Sequence, residues 1–212
     1  MRLSSVVSLA APPSCLACGH HAREREPVCA ACRRSLRWLG PEPVLLHGLL
    51  VWAPVAYEGA ARPLVRALKY RGAFPAAAVM AAQMAATARP ARFAEGTALV
   101  PVPLTTSRRR RRGFNQAERL AAGLGVRTGL TVSDCLKRRG GGGAQVGRDR
   151  EARLAALQDA IALRSRCAAP ERVLLIDDVC TTGATLAACA QALRAAGSRH
   201  VAAAVYALTP GR

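Results

Sequence analysis

Two carboxylates and three hydroxyls fall within nine positions of one another in Val173–Thr185, VLLIDDVCTTGAT. Asp177 and Asp178 follow four apolar residues, Val173 to Ile176, a short unbroken run suited to a strand buried on both faces. Thr181, Thr182, Gly183, Ala184 and Thr185 then open a helical pattern that runs to about Ala196. The order strand, polar loop, helix start leaves bare N–H groups and the positive end of a helix dipole where an anion can sit. The threonine hydroxyls add donors, and Gly183 lets the backbone come close to a phosphate. Capping an ordinary helix takes one polar residue, and this loop supplies five. The chemistry that fits is recognition of a sugar phosphate, with the phosphate in the loop and the sugar hydroxyls on the carboxylates.

A second constellation is Cys15, Cys18, Cys29 and Cys32, spaced C-x2-C-x10-C-x2-C. Four thiolates in two close pairs match a tetrahedral structural Zn2+ site, each pair forming one knuckle of a compact zinc-ribbon-like module. His20 and His21 lie inside the loop, but the four cysteines already complete a shell. Disulfides are the rival reading, and a cytoplasmic chain argues against them.

The elements that must position these groups follow from pattern and punctuation. A strand-like stretch runs from about Leu49 to Tyr57, after a linker marked by Pro41 and Pro43. Pro63 is placed to open a helix in which Leu64, Val65 and Leu68 share a face, and Gly72 stops it just after Lys69. Lys69 is a candidate anion contact. An alanine-rich helix follows over about Pro75 to Ala88, and then a strand that must end at Pro101-Val102-Pro103. Beyond it lie five consecutive arginines, Arg108 to Arg112, read as a basic loop, then Gly113-Phe114-Asn115-Gln116 and a helix to about Leu124. Arg112, beside the Gly-Phe-Asn motif, is the arginine assigned to the ligand. If the strands ending at Pro103 and Ile176 run parallel, both loops open at one sheet edge, where ligands of open α/β sheets bind. Leu130 to Leu136 suggests another strand, Gly140 to Gly143 cannot hold order alone, and His200 to Leu208 reads as a final strand after Gly197. Cys135, Cys167 and Cys189 are read as small core residues, and Cys180 has no histidine near it in sequence to make it a nucleophile.

With 212 residues the chain has room for one sizeable α/β domain and a small appendage. Its net charge of +18 is carried almost wholly by arginine, the only lysines being Lys69 and Lys137. Such a surface attracts polyanions, with strong salt dependence. No G-x-x-x-x-G-K-[ST] or complete G-x-G-x-x-G is present, which excludes a P-loop NTPase by pattern. No apolar run approaches the ~20 residues that span a bilayer. Met1 to Ala11 carry only a short apolar patch ahead of Pro12-Pro13, so a cytoplasmic chain without membrane insertion is expected.

The stretch Val173–Thr185 resembles the phosphoribosyl diphosphate (PRPP) signature of type I phosphoribosyltransferases. The rest of the chain resembles the ComF family: Tyr57-x-Gly59, Lys69-Tyr70-x-Gly72, the Pro101-Val102-Pro103 strand end and Arg112-Gly113-Phe114-Asn115-Gln116 are similar to its blocks. Gln145 and Arg153 match its lid, while Ala156 and Ile161 stand where the family has an asparagine and an aromatic. The resemblance implies a structural zinc module over residues 1–40 and, over 45–212, a type I phosphoribosyltransferase-like α/β domain with a parallel sheet flanked by helices. It implies PRPP with Mg2+ as ligand, its 5′-phosphate on the loop at 181–185 and its ribose on Asp177 and Asp178, and transfer to a nitrogen acceptor. The alternative it carries is a non-catalytic factor that binds single-stranded DNA in DNA uptake through the basic surface. Few aromatics weigh against that, because sequence-blind strand binding stacks bases on rings.

Overall fold

The computed structural model describes residues 14–23, 26–72, 74–88, 94–138 and 160–211. Its strands are β1 (Val44–Leu46), β2 (Leu49–Trp52), β3 (Val55–Ala56), β4 (Thr97–Pro101), β5 (Leu136–Arg138), β6 (Ile161–Leu163), β7 (Arg172–Cys180) and β8 (His200–Leu208). Its helices are α1 (Ala30–Arg34), α2 (Ala61–Arg71), α3 (Phe74–Thr87), α4 (Thr106–Arg112), α5 (Gln116–Thr128) and α6 (Ala184–Ala195).

The main sheet runs β1-β2-β8-β7-β4, with β3 also on β8; only β1 is antiparallel to its neighbour. Period-two alternation divides the strand residues between two cores. Leu99, Leu174, Ile176, Ala204 and Tyr206 pack on one side with α2, α3 and α5. Val100, Val173, Leu175, Ala203 and Val205 pack on the other with α6, Leu136 and Ile161. The protein is thus an α/β fold whose mostly parallel sheet is flanked by helices. Cys15, Ala22, Val28 and Leu36 join the first of these cores, and the chain from Arg37 to Leu39 hydrogen-bonds along Pro54 and Ala56.

Several elements differ from the sequence reading. β7 does not end where its apolar run does: Asp177 pairs with Val205, and the ladder continues to Cys180 opposite Leu208. A long parallel neighbour keeps the carboxylates within the strand, so they project from its last turns of pleat and the loop begins at Thr181. The stretch 49–57 is interrupted at Ala53-Pro54, because proline has no N–H for the ladder. The proline-marked linker includes a strand, β1, joined to β2 by a two-residue turn in which His47 and Gly48 both have positive φ. The five arginines are helical: Thr105 caps α4 by accepting from the Arg108 N–H at 3.3 Å, and Gly113 ends it with φ 76°. Within 130–136 only a bridge at Val132 to Leu99 forms, and Leu136 belongs instead to the β5–β6 hairpin. Cys135 and Cys189 are buried as expected, but Cys167 is exposed. Met1–Pro13, Gly140–Gly143, Gln145, Arg153 and Ala156 lie outside the described residues.

Candidate functional site

β4 and β7 run parallel in the register Pro101 to Ile176, so the loops that follow them open at the same sheet edge. Between those loops lies a polar cavity of about 290 Å³. Asp177, Asp178, Thr181 and Thr185 line it from β7 and the start of α6, Arg108, Arg112 and Gln116 from the segment after β4, and Lys69 from α2.

Burial and ion pairing set the character of the two acids. The Asp178 side chain is 4% exposed, and its Oδ2 accepts from Lys69 Nζ at 3.0 Å and from Gln116 Nε2 at 3.4 Å. Asp177 Oδ1 accepts from the Asp178 N–H at 2.8 Å. Burial and the neighbouring Asp178 carboxylate push Asp177 up to about 8, against the opposing pull of that N–H and of Lys69. A group so placed gains charge when a cation or a donor-rich ligand enters.

The arginines sort by partner. Arg109 is held by Glu118 at 2.7 Å, which ties α4 to α5. Arg112 stacks on Tyr70 with its guanidinium 5.3 Å from the ring centre, and its buried Nε has no hydrogen-bond partner. Arg138, at the end of β5, also lines the cavity; burial, then Arg108, lowers its affinity for a proton. Asn115 fixes this segment: its Oδ1 caps α5 at the Ala117 N–H, and its Nδ2 donates to Val102 O at 3.0 Å.

Of the residues singled out in the sequence, Asp177, Asp178, Thr181, Thr185, Arg112 and Lys69 meet in this one cavity. Thr182 and Gly183 face the β1–β2 turn. His47 Nε2 hydrogen-bonds Thr182 O at 2.9 Å, and a Cβ on Gly183 (φ 78°) would lie 3.2 Å from Leu46 Cβ. Thr182 Oγ1 accepts from the Ala184 N–H at 3.4 Å. Sequence reasoning missed Tyr57, Arg108, Gln116 and Arg138 as cavity residues. Gln116 was within reach, as the last member of the block that supplied Arg112. Cys180 is buried and its thiol is pushed up to about 11 by burial, then by Asp177, which keeps it from acting as a thiolate.

The four cysteine sulfurs lie within 4.8 Å of one another, and the Cys18–Cys29 separation is 3.8 Å. A tetrahedron of sulfurs with zinc–sulfur bonds of about 2.3 Å has edges of about 3.8 Å, so the donor set fits a zinc ion. Burial pushes the Cys15 thiol up, but N–H groups of Cys29, Cys18 and Ala17 outweigh it and bring the thiol down to about 6.

The sequence family described as "Phosphoribosyl transferase domain" matches residues 70–212. The chain belongs to this family. The chain is similar to Competence protein ComFC of Streptococcus pneumoniae (strain ATCC BAA-255 / R6), 35% identical over 102 residues, which are 48% of this chain and 44% of that protein. The matched part thus spans less than half of that relative. Together the two matches bear out the ComF-family resemblance. Among solved structures, orotate phosphoribosyltransferase from Aeropyrum pernix is similar with a TM-score of 0.37 and 19% identity, over 82% of this chain and 75% of that one. The larger cavity, about 540 Å³, lies at the opposite sheet edge, lined by Arg172, His200 and Leu50. It holds neither the acid pair nor the hydroxyl loop, so the smaller cavity is the candidate site. Among the described residues no helix is long and apolar enough to cross a membrane.

Proposed function

We propose that the protein binds PRPP in the cavity between α4 and α6 and transfers its phosphoribosyl group to a nitrogen acceptor. The observation that supports this is the meeting, in one cavity, of an acid pair, three threonines and three arginines. The 5′-phosphate takes the N-terminus of α6 with Thr181 and Thr185, and Asp177 and Asp178 hold the ribose hydroxyls. The diphosphate turns toward Arg108, Arg112 and Arg138, whose positive charge favours its departure. As the diphosphate leaves, positive charge grows at the anomeric carbon, and the nearby carboxylates stabilise it until the acceptor nitrogen closes the bond. Mg2+, if bound, would neutralise charge on the diphosphate and would be held mainly by the ligand's phosphate oxygens and water.

In this reading Cys15, Cys18, Cys29 and Cys32 hold a structural Zn2+ in a module over residues 1–40, ahead of the catalytic domain over 45–212. A cytoplasmic location keeps those thiols reduced. Calorimetric titration with PRPP and Mg2+ tests the proposal. Asp177→Asn and Asp178→Asn should each weaken binding by about 1–3 kcal/mol, and Thr185→Ala by about 0.5–1.5 kcal/mol because the backbone N–H groups remain. Wild-type protein giving neither heat nor a thermal shift with PRPP ends it.

Exposure of Arg108 to Arg111 along α4 favours a second role, binding of single-stranded DNA beside the cavity. Affinity should then fall steeply between roughly 50 and 200 mM salt with little sequence preference, and absence of binding at the lower salt discards this role.

A further inference from the structure

Gln116 is the first residue of α5 and is 3% exposed, yet it lines the cavity. Its amide nitrogen donates to Asp178 Oδ2, the oxygen that also accepts from Lys69. Its amide oxygen Oε1 is buried and has no hydrogen-bond partner. Reversing the amide would press that oxygen against a carboxylate and strand both N–H groups, so the orientation found is the favoured one. A buried carbonyl oxygen left without a donor is costly, and native structures seldom leave one without reason.

Four residues earlier, Arg112 presents the complementary case, a buried Nε–H with no acceptor. The wall of the cavity therefore asks for two different things: an acceptor at Arg112 and a donor at Gln116. An ionised phosphate offers acceptors only, so it suits Arg112 and cannot serve Gln116. A sugar hydroxyl is donor and acceptor at once. Lys69 and Gln116 both engage Oδ2 of Asp178.

We propose that Gln116 is a ligand-binding and specificity residue, its Oε1 accepting a hydrogen bond from a ribose hydroxyl at Asp178 while the ligand's diphosphate end turns toward Arg112. This rests on the phosphoribosyl reading above and adds to it a residue that selects ribose over deoxyribose.

The test is a set of titrations with ribose 5-phosphate and with its 2-deoxy and 3-deoxy analogues, on wild type and on Gln116→Met. Wild type should bind ribose 5-phosphate about tenfold more tightly than at least one deoxy analogue, the effect of one buried hydrogen bond. Gln116→Met should lose about tenfold on ribose 5-phosphate and lose most of that discrimination. Discrimination is a ratio within one folded sample, so a modest loss of stability does not mimic it. Gln116→Leu replaces the methionine variant if that one fails to fold. The proposal is overturned if the variant binds ribose 5-phosphate as wild type does, or keeps the wild-type ratio for both analogues, as it would if Oε1 met only water. Wild-type protein that binds neither ribose 5-phosphate nor PRPP removes the phosphoribosyl reading itself, a result seen before any variant is made.

Discussion

Replacing Lys69 by methionine leaves the Asp178 carboxylate buried with its counter-charge removed. The pair stands 3.0 Å apart, with the lysine side chain 21% and the aspartate 4% exposed. At an effective dielectric of about 20 the gross attraction is about 5–6 kcal/mol. Desolvation offsets most of that while the pair is intact, but removing one partner strands the other, which costs about 3–5 kcal/mol. The partial exposure of Lys69 and the remaining Gln116 contact put the expected loss for Lys69→Met at the lower end, about 3 kcal/mol. Asp178→Asn should cost less, about 1–2 kcal/mol, because a freed ammonium on a flexible stem can reach water. The double variant should therefore lose clearly less than the sum of the two, by more than the ~0.5 kcal/mol within which independent sites add. Urea unfolding followed by circular dichroism, at fixed zinc and pH 7, measures all three. A Lys69→Met loss below about 0.5 kcal/mol, or strict additivity, would refute the account of Asp178 as a buried, lysine-dependent charge.

Two further outcomes follow from the same structure. Asp177 holds its proton up to about 8 in the fold, against about 3.9 in the unfolded chain, so its stabilising contribution is full below about pH 4 and is lost as pH rises through about 8. Melting temperatures across that range should fall with pH in wild type and flatten in Asp177→Asn; parallel curves would sink the assignment. Purified protein should carry about one zinc per chain, and because Cys15, Val28 and Leu36 share a core with Leu64 and Met80, chelation should lower the melting temperature of the whole domain. Metal analysis that finds no zinc, or a melting curve indifferent to chelator, counts against this.

Much of this was legible in residue order because local and global demands agree. The run Val173–Ile176 is apolar on both faces because helices cover both faces of the sheet there. Gly72 ends α2 with φ 58°, and the pattern placed β8 at its observed bounds. What sequence could not give was decided between distant segments. β7 runs on through Asp177 and Asp178 because β8 offers a ladder as far as Leu208, which no local signal reports. The arginine run is helical because Thr105 and Gly113 cap both ends, a signature overlooked beside so much charge. Gly183 was assigned to a phosphate on local grounds, whereas a Cβ there would first meet Leu46 and His47 on a hairpin some 135 residues earlier. Gln116 closes the same motif as Arg112, but only the fold brings it to Asp178.

The strand latest in sequence among those described, β8, sits in the interior of the sheet between β2 and β7. Val51 and Ala203, neighbours in the finished ladder, are separated by about 150 residues of chain. On the ribosome, the segment carrying Leu49 and Val51 therefore emerges with one strand edge unpaired. That edge stays so until nearly all of the described chain has been made, at about 5–20 residues each second. Closing so long a loop costs only modestly more than closing a short one, so the delay is one of synthesis and search more than of final stability. Until β8 arrives, the four-cysteine cluster, the short β1–β2 hairpin and the helices α2 and α3 are the units available to the nascent amino-terminal segment.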